Sequence, residues 1–185
     1  MALVPNNTML LASGVNFGFR RTMPHLFGIS IGVAILMLCV GFGLGEAFKR
    51  VPALYTILEI ASVAYLLYLA WRIGTSGEVS AHGGKARPMT FVEAAAFQWV
   101  NPKAWMMVLT AATTVRLSAD YGMNAAWMAV VFILIGFPCI CLWAAFGQGL
   151  RHFLSNPRAL RMFNVTMAVL LILSLYPLVA HLLPQ

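Results

Sequence analysis

Acidic residues are almost absent from this chain. Its 185 residues contain five Asp and Glu in all, and charged residues of both signs make up only 9%. Soluble domains carry about 25% charge, so composition excludes a water-soluble globule. Cysteine is scarce as well. Cys39, Cys139 and Cys141 are odd in number and lie in apolar runs, which excludes a disulfide framework and leaves them as small buried hydrophobes. The chain has no Walker A run, no HExxH, no G-x-S-x-G and no paired aspartates. An enzyme is therefore not expected, nor is a cofactor or a metal site. A basic segment ahead of the first apolar stretch is also missing, so a cleavable signal peptide is not expected.

Hydrocarbon takes the place of charge. The chain is 61% hydrophobic, with a mean hydropathy of +0.85. Its apolar runs of about 20 residues can each cross roughly 30 Å of bilayer core. Six segments are expected, at 1–19, 23–48, 51–73, 91–115, 123–150 and 160–182, the first of them short and interrupted. The run "GTSGEVSAHGGKARP" at 74–88 has the Gly, Ser and charge content of a linker. The expected fold is an all-α membrane protein, one polytopic domain with half-repeats 1–73 and 91–182 joined by a cytoplasmic loop, 74–90. Three spans on each side of that loop make the halves inverted.

Charge sets the orientation. The net charge is +7, and the basic residues sit in short loops. Arg20, Arg21, Arg72, Lys85, Arg87, Arg151, Arg158 and Arg161 fall on one side, against Lys49, Arg50 and Arg116 on the other. The richer side is cytoplasmic, which puts both termini outside. No basic stripe alternates with aromatics, so nucleic acid is not an expected partner.

Lys103 belongs to neither side. It lies 13 residues beyond Thr90, and Glu59, the only deep carboxylate, lies 13 before Arg72. Asn7 is 13 before Arg20, and Pro138 is 13 before Arg151. At 1.5 Å per residue, all four sit roughly 20 Å from the inner boundary. The first segment of each half also carries an interruption: "VPNN" at 4–7 and "VNPK" at 100–103. Paired broken helices at matching positions point to a transporter's binding site, since backbone groups freed by proline must be satisfied or line a wet cavity.

Several runs together carry a family likeness: "NPKAW" at 101–105, "PNN" at 5–7, "GFRRTMPHLFGISIG" at 18–32 and "AYLLYLAWRI" at 64–73. In these the chain resembles the LysE/RhtB family of amino-acid exporters over nearly its whole length, within it the branch exporting cysteine and O-acetylserine. The resemblance implies a bacterial inner-membrane protein of about six spans that exports amino acids or related metabolites, coupled to the proton-motive force. The family's Pro-Gly-Pro-Asn pattern is represented here by Leu3, Val4, Pro5 and Asn6. The first proline and the glycine are absent, and so is the apolar half-helix before them. About ten to fifteen further residues would complete that span, so a mis-assigned start or a truncation is the expectation.

The expected substrate and translocation residues are Lys103, Asn101, Pro102, Pro5, Asn6, Asn7 and Glu59. A charge at the membrane centre costs at least about 2.5–3.5 kcal/mol and marks a function by default. Lys103 suits a substrate carboxylate. Its alternatives are a structural ion pair with Glu59 or a snorkelling lysine. Glu59 suits the coupling proton or a substrate amine, and the asparagines suit a zwitterion or the capping of broken ends. Pro138 is read as a kink. Gly28 with Gly32, and Gly41 with Gly45, form GxxxG pairs that serve internal packing or a homo-oligomer. Tyr65, Tyr68 and Trp71 read as interface anchors. His25, His82, His152 and His181 are placed in loops or at segment ends. A passive channel and a non-transporting subunit of a larger complex stand as rival readings.

Overall fold

Every regular element is helical among the residues that the computed structural model describes, 5–51, 53–76 and 87–176, the side chains of 47–49 excepted. The order is α1 (Pro5–Phe17), α2 (Phe19–Cys39), a π-helical turn (Val40–Leu44), α3 (Gly45–Arg50), α4 (Ala53–Gly74), α5 (Phe91–Val100), α6 (Pro102–Thr114), α7 (Tyr121–Val131), a second π-helical turn (Phe132–Gly136), α8 (Phe137–Arg151) and α9 (Pro157–Leu173). Among the described residues, three continuous stretches are long and apolar enough to cross a membrane: Phe19–Leu44, Ala53–Gly74 and Tyr121–Arg151. They coincide with the expected second, third and fifth segments. The fourth is split into α5 and α6 at Asn101. The first is the 13-residue α1, and the sixth is α9, which ends at Leu173 with residues 177–182 of the expected segment outside the described residues. His82, His181 and most of the linker lie outside them too.

Local chemistry explains the ends. Thr90 and Glu93 cap α5 reciprocally: Glu93 N donates to Thr90 Oγ1 at 3.2 Å, and Thr90 N donates to Glu93 Oε2 at 2.8 Å. Asp120 caps α7 and Asn156 caps α9, accepting from Met123 N and Arg158 N at 2.7 and 2.9 Å. Gly18, at φ 82°, lets α1 turn into α2, a backbone state that glycine alone reaches without strain. Pro138 lies in the first turn of α8, two residues after the second π-helical turn. His25 departs from its expected place: α2 begins at Phe19, which puts His25 inside the helix and only 1% exposed.

The chain forms two compact units. One comprises Met1–Pro24, Val63–Met89 and Ile140–Gln185; the other comprises His25–Ser62 and Thr90–Cys139. In the first, Leu11 and Ala12 of α1 pack with Met167 of α9, surrounded by Ile73, Trp143, Leu150, Phe163 and Leu170. Helices α1 and α8 meet at their backbones, where a β-carbon on Gly14 would overlap the Ala144 carbonyl and one on Gly147 would overlap that of Leu11. In the second unit, Val33, Ala34, Leu36 and Met37 of α2 pack against Ala104, Trp105 and Val108 of α6 and Met128 and Ala129 of α7. Gly28 and Gly32 face α5, where added β-carbons would come 2.7 Å from Ala94 Cβ and 2.8 Å from Ala95 Cα. This GxxxG is therefore occupied within the chain.

Candidate functional site

The interruption at Asn101–Pro102 is closed by its own neighbours. Pro102 is the first residue of α6, where a missing N–H costs nothing. Asn101, extended at φ −92° and ψ 103°, caps that helix, its side chain accepting from Lys103 N at 3.2 Å. Its carbonyl accepts from Ala104 N and Trp105 N at 3.0 and 3.3 Å. The carbonyls released at the end of α5 are held as well. Trp105 Nε1 donates to Trp99 O at 2.8 Å, Asn101 N donates to Gln98 O at 3.4 Å, and the Ser62 hydroxyl donates to Val100 O. The expected pocket of open backbone ends is thus filled from within, and the polar groups left over are side chains.

Two of those side chains stand out. Asn101 is 1% exposed, and its Nδ2 has no acceptor among the described residues. Lys103 is exposed at the first turn of α6, and its ammonium has no partner among the described residues either. Both donate, and both sit where the helix dipole places partial positive charge. An anion is the complementary ligand.

Helix α4 brings Glu59 to the same unit. Ser62 of α4 touches Val100, and Glu59 lies three residues earlier, roughly 4.5 Å along the axis. Glu59 is half-buried and makes no ion pair or hydrogen bond among the described residues. A fixed Lys103–Glu59 pair is therefore not formed. Pro5, Asn6 and Asn7 open α1 in the other unit: Pro5 and Asn6 are buried and Asn7 is half-buried. In α6 Asn101 precedes Pro102 as a cap, whereas Asn6 and Asn7 follow Pro5 within the helical residues of α1.

Sequence reading missed Ser62, Trp99 and Trp105, which hold the break in shape. An apolar environment gives a lone serine no distinctive signal. The tryptophans did carry one, since a buried indole N–H needs an acceptor, and a proline-broken helix end supplies it. The Tyr65, Tyr68 and Trp71 rings follow one another at 6.0 and 6.2 Å, and Arg72 lies over Tyr68.

The family model described as LysE type translocator matches residues 1–176. Curated relatives from Escherichia coli strain K12, Shigella flexneri and Shigella sonnei are each named cysteine/O-acetylserine efflux protein. Each is 33% identical over 171 residues, which cover 91% of this chain and 85% of the relative. No solved structure matches.

Proposed function

Because the chain belongs to the LysE-type translocator family, we propose that it exports small zwitterionic amino acids, cysteine and O-acetylserine among them, across the bacterial inner membrane. The observation that carries this reading is the pair of unpartnered donors, Lys103 Nζ and Asn101 Nδ2, at the first turn of α6. An α-carboxylate satisfies both. Inside a membrane, a lone ammonium is held against a large desolvation cost, and a passing anion offsets that cost only while it is bound.

The proposed architecture has six spans in two inverted halves, with both termini outside. Substrate enters from the cytoplasm, its carboxylate engages Lys103 and Asn101, and the carrier then exposes the site outward. Pro5, Asn6 and Asn7 at the start of α1 supply the second interrupted helix. Pro102 shapes the site rather than touching substrate. Glu59, with no partner among the described residues, carries the proton that returns the empty carrier. The membrane potential contributes about 2.3 kcal/mol per charge per 100 mV to such a cycle.

The test is transport in inverted membrane vesicles supplied with O-acetylserine. Wild-type protein accumulates it against a gradient when the proton-motive force is imposed, and Lys103→Met does not. Equilibration without accumulation would instead support a passive channel. Unaltered accumulation by Lys103→Met would remove the carboxylate role.

A further inference from the structure

Helix α6 exposes a polar stripe along one face. Ala104, Trp105 and Val108 turn into the core. The opposite face carries Lys103, Met106, Met107, Thr110, Thr113 and Thr114, all exposed and spaced at three or four residues. The eleven steps from Lys103 to Thr114 rise about 16 Å. No branched aliphatic residue lies on this face. By contrast, α7 and the π-helical turn after it expose Trp127, Val130, Val131, Leu134 and Ile135, the surface that acyl chains solvate. A bilayer solvates three threonine hydroxyls and an ammonium poorly.

The stripe is also polarised. At its exposed start stands a donor, Lys103 Nζ. Further along, hydroxyl protons point back into the helix: Thr113 Oγ1 donates to Leu109 O at 3.1 Å and to Thr110 O at 3.0 Å, and Thr114 Oγ1 donates to Thr110 O at 2.7 Å. Their oxygen lone pairs are left as acceptors. A zwitterion has the complementary polarity, a carboxylate for the donor and an ammonium for the acceptors.

We infer that this face of α6 is the outward leg of the export path, with Thr110, Thr113 and Thr114 handing on the substrate's ammonium after its carboxylate has engaged Lys103. The inference rests on the proposed carboxylate role of Lys103 for its direction, and on the exposed threonines for its route.

The experiment places single cysteines in protein whose Cys39, Cys139 and Cys141 have been changed to Ser. Thr110→Cys and Thr114→Cys are compared with Leu134→Cys and Ile135→Cys, using a membrane-impermeant cationic methanethiosulfonate added outside. The threonine positions react, O-acetylserine slows that reaction, and the two apolar positions stay silent. Thr110→Cys reacting no faster than Leu134→Cys, or cross-linking to a second copy in place of reacting, would overturn the inference. A triple Thr→Val variant lowers export about tenfold, about one neutral hydrogen bond's worth, while the triple Thr→Ser variant retains it; an unimpaired Val variant counts against the route. Labelled, substrate-protected threonine positions beside a fully active Lys103→Met would leave the route standing and defeat the carboxylate reading. Silent threonine positions beside an inactive Lys103→Met would do the reverse.

Discussion

Two of the polar clusters among the described residues are built on opposite terms. In one unit, Asn16 and Asn164 bind each other reciprocally at 2.7 and 3.0 Å, Asn16 also donates to Ala12 O at 2.8 Å, and Asn164 donates to Ser76 O at 2.6 Å. Ser13 and Thr22 share a hydrogen bond at 2.8 Å nearby in sequence. Every donor of the two amides is used. In the other unit, the α5–α6 break holds its Gln98, Trp99 and Val100 carbonyls yet leaves Lys103 Nζ and Asn101 Nδ2 without partners among the described residues. A satisfied amide network ties helices together. An unsatisfied pair of donors is retained at a cost, and a ligand is what can repay it. The first cluster is a clasp, and the second is the proposed site.

Substitutions separate the two. The largest effect is expected at Lys103: Lys103→Met reduces efflux of O-acetylserine from loaded cells to the level of cells without the gene, while the amount of protein in the membrane is unchanged. Lys103→Arg, which keeps the charge, retains part of the activity. Glu59→Gln comes next. Exchange of external for internal substrate continues, because neither carboxylate donor is touched, but accumulation driven by a proton gradient is lost; vesicle exchange and uptake assays read the two separately. Asn164→Leu acts on the clasp. It strands the Asn16 amide and the Ser76 carbonyl, a cost of about 1–3 kcal/mol, so thermal stability in detergent falls while efflux per folded molecule stays near normal. Ser62→Ala is the smallest change. It removes one hydroxyl from the Val100 carbonyl, and a loss of about 1 kcal/mol is expected with a modest rise in the substrate concentration for half-maximal export. Equal losses of efflux per molecule in Asn164→Leu and Lys103→Met would erase the distinction between clasp and site.

The continuous spans were legible because a run of apolar residues admits one reading at lipid depth. Phe19–Leu44, Ala53–Gly74 and Tyr121–Arg151 were all expected within a few residues. The break at Pro102 was legible for the same reason in reverse, since proline and lysine interrupt such a run visibly. How the break is closed was not. Ser62 and Trp105 reach it from 38 residues away and six residues away, and no periodicity announces a side chain that donates across such a gap. The clasp was also missed. Asn16 and Asn164 are 148 residues apart, and each alone resembles an ordinary amide near a helix end. Equal depth suggested that Lys103 and Glu59 could pair, but depth fixes only one coordinate, and the structure leaves them unpaired.

The most direct measurement is a substrate–residue cycle: export of O-acetylserine and of its carboxamide analogue, each by wild type and by Lys103→Met. Wild type should prefer the carboxylate by about tenfold or more, as a charge-assisted contact warrants, and Lys103→Met should transport the two alike. A Lys103→Met protein that still favours the carboxylate as strongly as wild type would contradict the account.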